Sequence, residues 1–499
     1  MNDGILAKLK NEKQRIVIHH VGGRDGSMPL KISPEFSSDF KIYIYDADET
    51  CLEQVQSIYT NFNVEVLPFC LDSNSEKKNF YLCYDPYASS LRKINPVYQS
   101  YYHRLANYDY IVGEITTVVE SKEIETITLD ELCHIGINNS VMPPDFLSID
   151  AQGSSHDILS GATMCLESNI LGVVCEVEFI ELYIGEKGLG EISTLLKNNS
   201  LNFIRAIDIQ EMKTYRVKSG IVGKGVDVGA NILFLRDPTS IAKDDANAYA
   251  VKLCKLAFLA LSFDCIEISI ECLLLIGEDT FNQTALNLGS YGKFLHKFIS
   301  LYKKIENVRP KTFIDYYPTF EISKQRFSTT NNLSFESSDV DLKNIIESND
   351  LFEQLVEHLW SFGNLPLAIK IFTDNLLVDK GTRITSVKLI SSVVTNMINA
   401  ERVIVYGLDQ SGMKMVAEFS SNNRQIIYCD DYKWGQAIKN SSKKVEDPLN
   451  IGLSIKDYVL INAGRGGMKV RRKLIKKGLA DLEHFIDIAI IRECLNKNI

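Results

Sequence analysis

An apolar strand that runs straight into clustered glycines is the feature that most restricts how this chain can fold. Arg15 to His20 reads as a strand, and Val21-Gly22-Gly23-Arg24-Asp25-Gly26 follows at once. Without a Cβ, glycine lets backbone N–H groups and a helix N-terminus come close to a ligand. A second strand, Lys41 to Tyr45, ends at Asp46, and Glu49 to Asn61 has the spacing of a helix. Strand, glycine turn and strand with a terminal acid form the opening of a nucleotide-binding α/β sheet, whose acid can accept hydrogen bonds from ribose hydroxyls. Spacing alone leaves two readings of the turn open, a cofactor site and a plain structural loop.

Further strands are predicted at Val64 to Phe69, Phe80 to Tyr84, Tyr110 to Thr117, Phe146 to Ile149 and Gly172 to Phe179, with helices between several of them. That alternation implies a mainly parallel sheet. Thr214 to Arg236 reads as a glycine-rich closing piece that ends in the strand Ala230 to Leu235, which places a boundary near residue 240. From Ala242 the pattern is mainly helical, broken by the polar stretch Ser328 to Ser338. The α/β pattern restarts at Arg402 to Tyr406, followed by Gly407-Leu408-Asp409-Gln410-Ser411-Gly412, a helix, Gln425 to Cys429 ending at Asp430, and the strand Tyr458 to Asn462. The expected organisation is therefore an α/β domain over 1–240, a helical region over 241–395, and a second, smaller Rossmann-like α/β domain over 396–499.

Composition narrows the class of partner. With 499 residues, 45% hydrophobic and 24% charged, the chain matches an ordinary globular protein of two or three domains. A formal net charge of −10 repels phosphate backbones, so nucleic acid is not the expected partner. The basic run Lys469 to Lys477 interleaves Val470, Leu474 and Ile475 with cations, which fits an amphipathic helix with a solvated face. The eleven cysteines are scattered without a CxxC pair, so they read as buried reduced thiols. Met1 to Arg15 lacks the apolar core of an export signal, and Leu253 to Ile276 carries Lys255, Asp264, Glu267 and Glu271, which are costly in a bilayer. The expectation is a cytoplasmic protein with no membrane span.

The segment Pro144-Asp145-Phe146-Leu147-Ser148-Ile149-Asp150-Ala151-Gln152-Gly153, continuing to Leu159-Ser160-Gly161-Ala162, resembles the signature of the FkbM methyltransferase family. That signature is an apolar strand ending in Asp, then Glu or Gln and Gly, then a helix closing with Leu-x-Gly-Ala. Upstream, Thr128-Leu129-Asp130 is similar to the family's Thr-Leu-Asp element, and Ser89-Ser90-Leu91 with Asn95-Pro96 to its Ser-Ser-Leu element. Downstream, Gly172 to Phe179 and Leu182-Tyr183 are similar to its Glu-Val-Glu-Phe and Leu-Tyr stretches. The resemblance spans about Arg15 to Asp237. It implies a class I methyltransferase sheet, S-adenosyl-L-methionine as cofactor, and transfer of a methyl group to oxygen, commonly a sugar hydroxyl in polysaccharide or glycoconjugate assembly.

The same resemblance assigns the cofactor's methionine end to Val21, Gly22, Gly23 and Gly26, its ribose to Asp46 with Asp48 just beyond, and its adenine to the stretch from Phe69 to Asp72. Gln152 is counted with the cofactor-binding residues. Asp150, at the tip of the fourth strand of the expected sheet, is the expected acceptor of the hydroxyl proton, with His156 and Glu178 as the other catalytic candidates. Glu176 and Glu178 share a strand face, and Glu178 is preferred as nearer the tip. No ligand spacing calls for a metal. The expected partners are a sugar or glycan small-molecule acceptor, with glycan-assembly enzymes or a second copy of the chain as protein partners.

Two positions depart from the family pattern. His20 stands where an Asp usually precedes the glycine turn, and Ser155 where a Glu usually begins the helix after Asp150. They motivate an alternative, a methyltransferase-fold protein that acts by interaction or regulation. A further alternative puts a nucleotide sugar in the C-terminal domain, although Asp409 there replaces the glycine at which backbone must approach a pyrophosphate.

Overall fold

A computed structural model describes residues 14–22, 30, 34–46, 62–105, 108–135, 141–215 and 223–308, with shorter stretches between 351 and 488. The chain divides into two compact units, 1–296 and 297–499.

In the first unit the strands follow one another as β1 (Ile16–Val21), β2 (Phe40–Tyr45), β3 (Val64–Leu67), β4 (Cys70–Leu71), β5 (Lys77–Cys83), β6 (Tyr102–Leu105), β7 (Tyr108–Ile111), β8 (Val118–Ile127), β9 (Phe146–Ile149), β10 (Gly172–Glu178), β11 (Leu201–Lys213) and β12 (Val226–Arg236). Nine of them make one sheet in the order β3-β2-β1-β9-β10-β12-β11-β6-β7, and β4-β8-β5 make a second, small one. The first five strands of the large sheet pair in parallel. The remaining pairings are antiparallel, because β12 inserts between β10 and β11. The fold is thus mixed α/β, and the expected parallel sheet forms one half of it.

The central strands are buried at every position of β1, β9 and β10. Such strands read as continuous apolar runs because both faces are covered. On one face Val17, Tyr43, Tyr45, Leu147, Ile149, Val173 and Cys175 pack into a single core with Ile158, Leu166, Ile192 and Leu196. Those last four come from the helices Ser155–Ser160, Thr163–Ser168 and Leu189–Asn198. On the other face Phe40 and Phe146 meet Phe258 and Phe263, with ring centroids 6.0 and 5.5 Å apart. Phe258 belongs to the helix Ala246–Ser262, which is followed by Ile266–Ile276 and Glu278–Asn287. Each aromatic buried this way contributes about 1.5–3 kcal/mol.

Two buried polar groups tie the layers together. The Asp145 Oδ2 atom accepts from the Val17 amide (2.8 Å) and from Lys255 Nζ (2.7 Å), which fixes β1, β9 and the helix Ala246–Ser262 at one end. The His19 ring lies between Tyr43 and Tyr45, hydrogen-bonded to the Met142 carbonyl through Nε2 (2.8 Å) and to Tyr45 Oη through Nδ1 (2.9 Å). Full burial pulls its pKa down to about 3, against the opposing effect of the Met142 bond, so the ring is neutral.

Several sequence expectations change. The strand expected over Tyr110 to Thr117 stops at Ile111 and gives way to a helical turn, Val112–Ile115. There Thr116 and Thr117 hydroxyls donate back to the Val112 and Gly113 carbonyls, the helical alternative that such side chains offer. Within the closing piece after Thr214, β12 runs for eleven residues and starts at Val226, ahead of the expected Ala230. Strands β4, β6, β8 and β11 have no counterpart among the strands read from the sequence. The helix expected over Glu49 to Asn61 lies outside the described residues, as does nearly all of Met1 to Arg15. The stretch Leu253 to Ile276 is parts of two helices separated by a turn at Asp264, and among the described residues no helix is long and apolar enough to cross a membrane. The nine described cysteines are unbridged, and seven are buried.

In the second unit, β13 (Arg402–Tyr406), β14 (Ile426–Cys429), β15 (Asp457–Ile461) and β16 (Phe485–Asp487) form a parallel sheet in the order β14-β13-β15-β16. Val470 and Leu474 of the basic run enter its core, as the amphipathic reading requires. Lys473 is more than a solvated charge, since its Nζ lies 2.6 Å from Asp431 Oδ2.

Candidate functional site

In an open α/β sheet, ligands bind outside the carboxyl ends of the parallel strands. Here a cavity of about 160 Å³ opens at those ends, lined by Val21, Gly22, Asp46, Asp150 and Gln152 among others. The first four come from the tips of β1, β2 and β9. A larger cavity, about 1030 Å³, opens at the opposite ends. Of its cations, Lys41 and Lys255 are paired with Glu65 and Asp145, while Arg15 and Lys252 donate to the Ser38 and Ser168 carbonyls.

The strand tips meet because Gly22 has no side chain. Its φ is +84°, and a Cβ there would sit 1.6 Å from the Asp150 carbonyl oxygen. The Gly22 amide donates to the Tyr45 carbonyl (3.0 Å), and the Asp150 amide to the Val21 carbonyl (2.9 Å), so the three tips are stitched by backbone bonds. Phe69, Leu71, Phe80 and Ile158 supply apolar wall. Ser89, Ser90 and Leu91 close the cavity from the side of the small sheet. Ser90 Oγ donates to the Gln152 carbonyl (2.6 Å), which anchors this arch to the loop after β9.

Gln152 organises the acidic side of the cavity. With φ of +45°, it turns its amide so that Nε2 donates to Asp150 Oδ1 (3.1 Å) and Glu176 Oε2 (3.0 Å), while Oε1 accepts from Tyr183 Oη (2.7 Å). Gln210 Nε2 donates to the other Glu176 oxygen (2.6 Å). Burial first, then the charges of Asp150 and Glu178, push the Glu176 carboxyl well above the usual range. Glu176 and Asp150 also share a hydrogen bond, the arrangement in which two carboxyls hold one proton between them. Glu178 is pushed up to about 8 by burial and by the charges of Glu186 and Asp150.

The sequence-predicted residues divide three ways. Val21, Gly22, Asp46, Asp150 and Gln152 come together on the cavity. Gly23, Gly26 and Asp48 lie outside the described residues. Asp72, His156 and Glu178 do not line the cavity. The Asp72 carboxylate is engaged by Lys78 (2.5 Å) and by the Ser73 amide (2.6 Å). His156 faces Ser160 (3.4 Å) and Asp157 (3.9 Å) on its own helix. Glu178 is buried nearby, and Glu176, the other acid on that strand face, holds the direct link to Asp150 and Gln152.

The two departures from the expected motif have structural uses. His20 is buried and its Nδ1 lies 2.9 Å from Ser148 Oγ across β1 and β9. Ser155 Oγ donates to the Glu176 carbonyl (2.7 Å), tying the helix start to β10. The Thr-Leu-Asp element is a capping device. Thr128 and Glu131 exchange hydrogen bonds, and Asp130 accepts from the Met164 and Cys165 amides at the start of the helix Thr163–Ser168. In the second unit the Leu408 amide, at the start of the corresponding turn, donates to Asp430 Oδ2 (3.2 Å), and residues 409–412 lie outside the described residues.

No protein-family model matches the chain, and comparison with curated proteins and with solved structures gives no match.

Proposed function

We propose that the chain is an S-adenosylmethionine-dependent O-methyltransferase of the FkbM type that methylates a sugar hydroxyl in cytoplasmic polysaccharide or glycoconjugate assembly. The observation that carries the reading is the convergence of Gly22, Asp46 and Asp150 on one cavity at the carboxyl ends of the parallel strands. A parallel half-sheet followed by a hairpin whose last strand inserts antiparallel is also the arrangement expected of a class I methyltransferase.

The residues present suit that cofactor. Asp46 offers a carboxylate for ribose hydroxyls, and Phe69, Leu71, Phe80 and Ile158 offer an apolar wall for a purine. When bound, S-adenosylmethionine supplies an electrophilic methyl group, whose carbon–sulfur bond breaks as the bond to the acceptor oxygen forms. The chain's own share is alignment and proton removal. Asp150 takes the hydroxyl proton, Gln152 holds its carboxylate in one orientation, and Glu176 provides the buried partner that keeps a proton within the pair. For the second unit we read an interaction role, on the sequence ground that Asp409 stands where backbone would have to approach a pyrophosphate.

Isothermal titration of the full chain with S-adenosylhomocysteine tests the assignment, with micromolar binding expected. Labelled methyl transfer to a glycan extract should then fall at least 100-fold in Asp150→Asn while binding persists. A protein that binds no S-adenosylhomocysteine is not a methyltransferase of this kind.

A further inference from the structure

One aromatic side chain of the cavity is open to water. Phe69, Leu71, Phe80 and Ile158 are buried or half-buried, as suits the wall of an enclosed site. Tyr87 lines the same cavity with 57% of its surface exposed. The backbone that carries it is pinned on both sides. Asp85 caps the 3-10 turn Pro86–Ala88, its Oδ1 accepting from the Tyr87 amide (3.1 Å). Ahead of the turn, the Tyr84 and Asp85 amides donate to the Thr117 and Ile115 carbonyls (2.8 and 3.0 Å). Behind it, Ser89 Oγ accepts from the Cys83 amide (3.1 Å), and Ser90 Oγ reaches the Gln152 carbonyl (2.6 Å), on the loop that begins at Asp150.

The electrostatics of this rim select among ligands. From Tyr81 to Leu91 the only charged residue is Asp85, and its carboxylate is engaged by the cap. The charged side chains among the described residues that line the cavity are Asp46 and Asp150, both carboxylates. A phosphate on the acceptor would be repelled by them. A tyrosine ring on a fixed backbone offers a flat apolar face at little entropic cost. An uncharged pyranose is its complement, since one ring face carries C–H bonds that gain by leaving water while the hydroxyls stay at the edge. Phe69, Leu71, Phe80 and Ile158 already supply the enclosed wall for a purine, which leaves the exposed ring to the acceptor. We propose that Tyr87 is the stacking face for that acceptor, an uncharged pyranose unit bearing no phosphate, which enters over the arch and presents its hydroxyl to Asp150. This assignment rests on the methyl-transfer reading above.

The test is a saturation-transfer difference NMR titration of the full chain, saturated with S-adenosylhomocysteine, at pH 7. The probes are the methyl glycosides of glucose, galactose and mannose, the 1-phosphates of the same sugars, and glucitol, which carries hydroxyls without a ring. At least one glycoside should receive saturation on the C–H protons of one ring face, and its 1-phosphate and glucitol should bind about tenfold more weakly or not at all. Tyr87→Ala should weaken that glycoside about tenfold or more, and Tyr87→Phe, which keeps the ring, should bind it as the wild type does. Tyr84→Ala is the control: Tyr84 is 74% exposed and three residues away, but does not line the cavity, so its loss should change nothing. Binding of no glycoside, equal binding of glucitol or of the 1-phosphates, or undiminished binding in Tyr87→Ala would overturn the assignment. So would a loss of S-adenosylhomocysteine affinity in Tyr87→Ala, because the ring would then stack on the cofactor. Wild-type protein that binds no S-adenosylhomocysteine takes down both readings, while its binding with any of the other adverse results takes down the Tyr87 assignment alone.

Discussion

Replacing Gly22 with alanine should damage fold and site together. The added methyl would lie 1.6 Å from the Asp150 carbonyl oxygen, where ordinary contact begins at 3.4 Å, so the tips of β1 and β9 must separate by about 1.8 Å. Neither neighbour can yield cheaply, because the Val21 carbonyl and the Asp150 amide are bonded to each other. A left-handed alanine costs about 1 kcal/mol or more, and forced overpacking another 1–3 kcal/mol or so. A total of at least about 2 kcal/mol corresponds to a drop in Tm of roughly 4 °C or more for a unit of this size. Because a shift of about 1 Å in a reacting group can cost about 100-fold in rate, the methyl transfer proposed above should fall further than stability does. Differential scanning calorimetry and titration with S-adenosylhomocysteine measure the two effects. A Gly22→Ala protein with wild-type Tm and wild-type affinity would show that the strand tips do not meet as described.

Removing one partner of the buried Asp145–Lys255 pair strands the other charge, so Asp145→Ala should cost about 3–5 kcal/mol in urea denaturation. A loss under 1 kcal/mol would mean that the pair is hydrated. His19 has a folded pKa near 3, below its unfolded value, so the unfolded chain binds the extra proton between those values and stability falls as pH falls from about 6.5. The slope from this group approaches about 1.4 kcal/mol per pH unit. It should vanish in His19→Phe, and an unchanged slope in that variant would assign the effect elsewhere. Tyr183→Phe removes the donor that holds Gln152 and should lower kcat about tenfold with little change in KM; a rise in KM alone would place Tyr183 in acceptor binding.

How much could be read from residues alone follows from how each element is buried. β1, β2, β9 and β10 are covered on both faces, so their apolar runs announced them, and with them Gly22, Asp46 and Asp150. β8 is largely exposed, and its Val-Val-Glu-Ser-Lys-Glu-Ile-Glu-Thr-Ile sequence carries charges on both faces, so no apolar period marked it as a strand. β11 is bulged near Phe203, Ile207 and Gln210, which breaks its alternation. The preference for Glu178 followed distance to the strand tip. What decides the matter is the loop after β9, whose left-handed Gln152 reaches Glu176, and strand periodicity carries no trace of that turn. The roles of Ser90, Tyr183 and Gln210 arise from contacts across 31 or more positions of sequence.

The insertion of β12 between β10 and β11 dictates when this unit can be finished during synthesis. A nascent chain that has emerged only as far as Lys213 still carries β10 with one flank unpaired, a seven-residue strand edge inviting association with other chains. Only when Val226–Arg236 clears the ribosome can that edge be sealed, so truncation anywhere before Val226 should yield aggregates in place of a smaller soluble sheet.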